Sequence, residues 1–198
     1  MSLRAERAGM SVVARRQQSQ KLCSILTNWL PGLDGRETLP LIVAAYWPLK
    51  DEPDITPILY ALSHAGHTVV LPVVAQRSAP LQFHRWSPGA SMTAGNFGVM
   101  EPARTQAMQP DLLLIPTLGY TAQGDRLGYG GGYYDRTLAM MQEMRRTPLK
   151  IGIGWSEGLL TDKYPEYQPQ AHDMPLQAIL SAQGWSPEQP DTPTPLDT

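Results

Sequence analysis

Leu41-Ile42-Val43-Ala44-Ala45-Tyr46, a continuous apolar run set between Pro40 and Pro48, decides the fold. A strand wetted on one side alternates apolar and polar residues, whereas an unbroken run belongs to a strand covered on both faces, as in a parallel sheet flanked by helices. Downstream, Thr56-Pro57 marks a helix entry, because the hydroxyl caps and proline suits the first turn; Ile58, Leu59 and Leu62 face inward and Gly66 closes the helix. His67 to Val74 is apolar and β-branched, so residues 41–74 read as a βαβ unit. Asp111-Leu112-Leu113-Leu114-Ile115-Pro116 and Lys150-Ile151-Gly152-Ile153-Gly154-Trp155 repeat the buried-strand pattern, and Ala178-Ile179-Leu180 adds another. A helix is expected over 134–146, with Leu138, Met141 and Met144 on one stripe. The prediction is a three-layer α/β/α, Rossmann-like open sheet, mostly parallel, in a single domain over residues 1–184.

Upstream, residues 4–30 carry Arg4, Arg7, Arg15, Arg16 and Lys21 against only Glu6, with Val13, Leu22, Ile25, Leu26 and Leu30 at helical spacing. This reads as one basic amphipathic helix stopped by Pro31-Gly32, its charged face either solvated or reaching an anionic ligand. Over 78–104, Leu81 to Trp86 alternates like an exposed strand among turn-forming prolines and glycines, which predicts an excursion across the top of the sheet. Residues 185–198, rich in proline and acid, are expected to form a disordered tail.

The whole chain has 198 residues, 42% hydrophobic and 17% charged, enough to bury one α/β core. Sixteen basic against 18 acidic residues leave a net charge of -2, which supplies no global attraction for nucleic acid. The longest apolar stretch, Leu39 to Trp47, falls well short of the ~20 residues that a membrane-spanning helix needs. Cys23 has no cysteine partner in the chain, and the first 30 residues lack an unbroken apolar signal segment, so a cytoplasmic protein is expected. His64 and His67 have metal-ligand spacing but no companion, and read as neutral surface residues.

The densest chemical signal is Gly124-Asp125-Arg126-Leu127-Gly128-Tyr129-Gly130-Gly131-Gly132-Tyr133-Tyr134-Asp135-Arg136, between a buried strand and an amphipathic helix. Ligands of open α/β sheets sit beyond the carboxyl ends of the strands, and a glycine-rich helix entry offers bare N–H groups to an anion. The loop is neither a P-loop, having no Lys-Ser/Thr after the glycines, nor the dinucleotide fingerprint, which fails at Tyr133. Arg126 and Arg136 add forked phosphate donors, Tyr133 and Tyr134 flat ring surfaces, and Asp135 either a Mg²⁺ ligand or a helix cap.

Residues Arg126 to Arg136 closely resemble the signature of the 5-formyltetrahydrofolate cyclo-ligase family. Tyr46-Trp47-Pro48 with Glu52, Leu71-Pro72-Val73, Leu81-Gln82-Phe83, Gly95 to Pro102 and His172-Asp173-Met174-Pro175-Leu176 look like its other landmarks, in order, over residues 3–180. The resemblance implies an ATP- and Mg²⁺-dependent conversion of 5-formyltetrahydrofolate to 5,10-methenyltetrahydrofolate through a phosphorylated formyl group. It implies ATP binding by Arg126, Leu127, Gly128, Tyr129, Gly130, Gly131, Gly132, Tyr133 and Tyr134, with Arg126 and Tyr133 catalytic. Trp47, Glu52 and Phe97 match folate-contacting positions, beside Gly130 to Tyr134, and Asp135 and Asp173 match Mg²⁺ positions. Trp47 and Phe97 equally suit the core. The implied partners are a reduced folate and ATP, with no nucleic acid or membrane, in a monomer or weak dimer.

The chain departs from the family at three places. The lysine and arginine that precede the family's first helix have no counterpart before Leu3-Arg4, leaving Arg4, Arg7 or a neighbouring chain to hold the phosphates. Gly119-Tyr120-Thr121 stands where the family has Ala-Phe-Asp, and Ser156-Glu157-Gly158 where it has a glutamine. A second reading therefore stands beside the enzyme: a non-catalytic paralogue that binds folate or nucleotide as a sensor. A sugar-phosphate isomerase or CoA transferase on a related scaffold would need a Glu or Lys base in the loop, and none is there.

Overall fold

The computed structural model describes residues 3–33, 38–160, 164, 167–170 and 173–196; of these, the Phe97 side chain is left out of account. In chain order the helices are α1 (Leu3–Ala8), α2 (Val12–Trp29), α3 (Thr56–His64) and α4 (Tyr133–Glu143). The strands begin with β1 (Ile42–Ala44), β2 (Thr68–Val73), β3 (Gln82–Trp86), β4 (Met92–Ala94) and β5 (Met100–Pro102). They continue with β6 (Leu112–Pro116), β7 (Gly119–Tyr120), β8 (Arg126–Leu127), β9 (Leu149–Ile153), β10 (Ala178–Ser181) and β11 (Gly184–Ser186).

Among the described residues a seven-stranded sheet runs β11-β10-β9-β6-β1-β2-β3, parallel from β10 to β2 and antiparallel at both edges. The unbroken apolar runs are explained by the two faces. Leu112 and Leu114 of β6 pack with Leu22 and Leu26 of α2 and Leu59 and Leu62 of α3, while Leu113 and Ile115 turn to Leu138 and Met141 of α4. Side chains alternate every residue along a strand, so both registers must be apolar when helices cover both sides. Two small hairpins, β4 with β5 and β7 with β8, sit apart from this sheet. From β1 the chain steps outward to β2 and later returns to β6 on the other side, so a crevice opens at the carboxyl ends of β1 and β6. Among the described residues no helix is long and apolar enough to cross a membrane.

The structure amends several expectations. The single basic helix is two: Ser11 accepts from the Ala14 N–H at 3.1 Å and starts α2 afresh, while Arg15 donates to the last carbonyls of α1, Arg7 at 3.1 Å and Ala8 at 3.0 Å. That restart leaves Val13 64% exposed rather than in the core. The 81–86 segment is a strand as expected, but it forms the sheet edge, paired with β2 from Val69↔Trp86 to Val73↔Gln82, and buries Phe83, His84 and Trp86 rather than exposing them. α4 stops at Glu143, so Met144 is an exposed cap. His67 is buried: its Nδ1 accepts from Leu41 N at 3.0 Å, so Nε2 carries the proton donated to the Pro31 carbonyl at 2.9 Å.

The segment beyond Gly184, expected to be free, is tied down. β11 pairs with β10, Trp185 meets Trp29 edge-on at 5.0 Å, and Trp29 Nε1 donates to the Pro190 carbonyl at 3.0 Å. The Leu196 N–H reaches Asp111 Oδ1 at 2.8 Å, and the other oxygen of that buried carboxylate accepts from Ile42 N at 2.7 Å. Proline-rich composition lowers the entropy lost on ordering, so a few anchors suffice to hold such a segment.

Candidate active site

The β7–β8 hairpin delivers the chain to the glycine bend, where Gly130 and Gly132 have φ of +85° and +62° and Gly132 is the left-handed N-cap of α4. A Cβ on Gly131 would lie 3.0 Å from the Tyr133 ring, so the bend stays bare for steric as well as conformational reasons. Arg126 donates through Nη2 to Asp135 Oδ1 at 2.5 Å and lies 6.0 Å from the centre of the Tyr134 ring. Arg136 donates to the Gly131 carbonyl at 2.8 Å and lies 4.9 Å from the Tyr133 ring. The Nε atoms of both arginines are buried without a hydrogen-bond partner. A bare helix entry with an arginine on the cavity beside it suits an anion.

The opposite wall is built from the β1–α3 connection and is backed by Arg7 of α1. Glu52 is buried and accepts from Leu49 N at 2.9 Å; Arg7 Nη2 lies 3.8 Å from its Oε1. Arg7 also donates to the Tyr129 hydroxyl and the Asp51 carbonyl. Burial pushes the Glu52 carboxyl above the usual range, opposed by the Leu49 N–H, the Tyr129 hydroxyl and the Arg7 charge. Burial first and Glu52 second push the phenols of Tyr129 and Tyr134 upward, so both stay protonated. Arg4, exposed, donates to the Tyr129 carbonyl at 2.6 Å, so both α1 arginines meet the glycine bend.

A cavity of about 650 Å³ lies between these walls. Trp47, Glu52, Arg126, Tyr133, Asp135 and Asp173 line it, with Gly128 to Gly132. A profile of the 5-formyltetrahydrofolate cyclo-ligase family matches residues 2–182. The chain belongs to that family. The 5-formyltetrahydrofolate cyclo-ligase of Mycolicibacterium smegmatis is 38% identical over 168 residues, covering 79% of either chain. That of Escherichia coli K12 is 31% identical over 146 residues, covering 70% of this chain and 76% of its own. The solved 5,10-methenyltetrahydrofolate synthetase of Aquifex aeolicus superposes with a TM-score of 0.73 at 26% identity, over 99% of this chain and 93% of that one.

As a cyclo-ligase family member the chain brings most of the sequence-predicted residues to one cavity. Leu127 lines it and accepts from Leu118 N at 3.0 Å through its carbonyl. Trp47 lines the cavity and also packs against the core, its ring centre 6.1 Å from that of Trp86. Phe97 belongs to a single 3-10 turn, Asn96–Gly98, whose neighbours Asn96 and Val99 line the cavity; its side chain and all of His172 lie outside the described residues. Thr121 caps its own hairpin by donating to Asp125 Oδ2 at 2.8 Å, and the carboxylate that orients Arg126 comes from Asp135 instead.

Asp135 and Asp173 face the same cavity, and Asp173 is shaped by a reciprocal turn with Gln170, accepting from its N–H at 2.8 Å and donating to its carbonyl at 2.9 Å. Among the described residues no three His, Cys, Asp or Glu side chains cluster as a metal cage. Mg²⁺ is commonly held by one or two carboxylates, substrate phosphates and water, so this donor pair fits it. Sequence reasoning missed the Arg7–Glu52–Tyr129 cluster and Glu101, a buried carboxylate on the cavity that accepts from Val74 N at 3.1 Å. Glu101 packs over Gly95, where a Cβ would stand 2.2 Å from its Cδ, a closeness that only the fold reveals.

Proposed function

We propose that the protein closes 5-formyltetrahydrofolate to 5,10-methenyltetrahydrofolate with ATP. The formyl oxygen on N5 takes the γ-phosphoryl group and ADP leaves. N10 then attacks the formyl carbon and gives up its proton, and the C–O bond breaks to release inorganic phosphate. An amide-like oxygen leaves poorly until phosphorylated, and phosphoryl transfer needs mainly alignment and charge neutralisation.

The observation that carries this reading is the meeting of two unlike walls on one cavity: the glycine bend with Arg126, and the buried Glu52 with Trp47 on the same lining. The first suits a polyphosphate, the second a flat heterocycle bearing N–H donors. Arg126 and Arg4 would balance phosphate charge, Glu52 would accept from the pterin, and Tyr133 and Tyr134 would exclude water beside the reacting formyl group. Asp135 and Asp173 would hold Mg²⁺, which supplies Lewis-acid neutralisation of phosphate oxygens. A cytoplasmic setting is part of the same reading, supported by the free Cys23, whose thiol is pushed up to about 12 by burial and then by Asp54.

The test is direct. Purified protein with 5-formyltetrahydrofolate and Mg-ATP is followed by the absorbance of the methenyl product, with ADP measured in parallel. Equal amounts of both products are expected. Binding of both ligands with no product would establish the sensor reading suggested by Thr121.

A further inference from the structure

We infer that Arg7 is a positioning residue of the folate site, holding Glu52 charged and aimed while joining it to Tyr129 of the glycine bend. This deepens the proposed function and rests on it. Sequence comparison alone would set Arg7 on a phosphate; the geometry commits it elsewhere. Its Nε donates to the Asp51 carbonyl, its Nη1 to the Tyr129 hydroxyl 122 residues away, and its Nη2 stands 3.8 Å from Glu52. Its guanidinium also lies 5.4 Å from the Tyr129 ring centre. The side chain is 8% exposed and that of Glu52 4%, so the pair is screened little by solvent. Arg4, by contrast, is exposed at the same bend and is left for phosphate.

The corner that carries Glu52 is fixed by further donors. Trp155 Nε1 reaches the Asp51 carbonyl at 2.9 Å, and Arg15 pairs with the Asp51 carboxylate at 2.6 Å. The titratable groups facing Glu52 are Arg7 from α1, Tyr46 after β1, Tyr129 from the bend and Tyr134 from α4. The three phenols are shifted upward and stay neutral; Arg126 acts on Tyr134 and Arg4 lies 5.9 Å from the Tyr129 ring, and Arg7 is the cation that acts on Glu52 itself. Burial already raises the carboxyl of Glu52; deleting Arg7 raises it further, so at a given pH less of it is ionised, and raising the pH restores it.

The experiment compares wild type, Arg7→Met and Arg7→Lys by calorimetric binding of 5-formyltetrahydrofolate without nucleotide, between about pH 6 and pH 9, alongside KM and kcat. Arg7→Met should bind about tenfold more weakly at the acid end, with the deficit closing towards the alkaline end and the acid limb moved up by about one pH unit. KM for folate should rise more than kcat falls, and Arg7→Lys should recover the wild-type limb. Loss of binding by an equal factor at every pH, or no loss at any, would overturn the assignment, as would an Arg7→Lys variant with the limb of Arg7→Met. Should Arg7→Met fail to fold, Arg7→Gln, which keeps polar contacts but no charge, decides: an acid limb moved up supports the assignment and a wild-type limb refutes it. Wild type that binds no reduced folate would instead refute the proposed function on which this rests.

Discussion

Replacing Asp135 by Asn removes one charge from the site and little else. The carboxylate is 2.5 Å from Arg126 Nη2, with side-chain exposures of 17% and 6% for the acid and base. Breaking a fully buried pair by removing one partner costs roughly 3–5 kcal/mol, because the remaining charge is stranded. Asp135 opens onto the cavity, where water reaches it, and Asn keeps an oxygen that can still accept from Arg126, so the loss falls to about 2 kcal/mol. Expressed in the transition state, that is about thirtyfold in kcat/KM for ATP. Initial rates across a Mg²⁺ series, with thermal melting of the same samples, separate the two contributions. A Mg²⁺ requirement shifted upward accompanies loss of a metal ligand, and a lowered Tm accompanies the stranded arginine. If kcat/KM for ATP stays within about twofold of wild type at ordinary Mg²⁺, Asp135 neither orients Arg126 nor meets the metal.

Other expectations concern the bend and the far end of the sheet. Gly132→Ala forces a side chain into left-handed backbone and sets its Cβ 2.7 Å from Arg136 Nη1, so Tm should fall by an amount equivalent to about 1–2 kcal/mol and KM for ATP should rise. Asp111→Ala strips two charge-assisted bonds, to Ile42 N and Leu196 N, and should cost about 2–4 kcal/mol in denaturant unfolding while leaving KM unchanged. Truncation after Gly184 exposes Trp29, deletes the Trp185 contact and should lower Tm by several degrees; unchanged melting would show that the strap contributes nothing.

The layers were legible because they obey local rules. Leu41 to Tyr46 and Leu112 to Ile115 are apolar in both registers, which only double-sided burial explains, and the glycines of the bend stand immediately before the stripe of α4. The break at Gly9 to Ser11 was written in the sequence too, but the basic pattern on either side hid a serine cap. What periodicity cannot carry is pairing at long range. Arg7 looks like one more cation of a basic helix face until folding brings Tyr129 and Glu52 against it, and Asp111 looks like no more than the head of a buried strand until both of its oxygens are seen to be engaged. The last segment misled for another reason, since composition reports what a stretch could bury itself and not that Trp29 waits for it elsewhere.

The strap has a practical side. Leu3 opens α1 next to the bend, whereas Leu196 is moored to Asp111 at the amino end of β6, across the sheet from the cavity mouth. A fluorophore, affinity handle or surface tether joined at Leu196 therefore sits at the end of the sheet opposite the cavity, while the same appendage joined at Leu3 crowds Arg4 and the glycine bend.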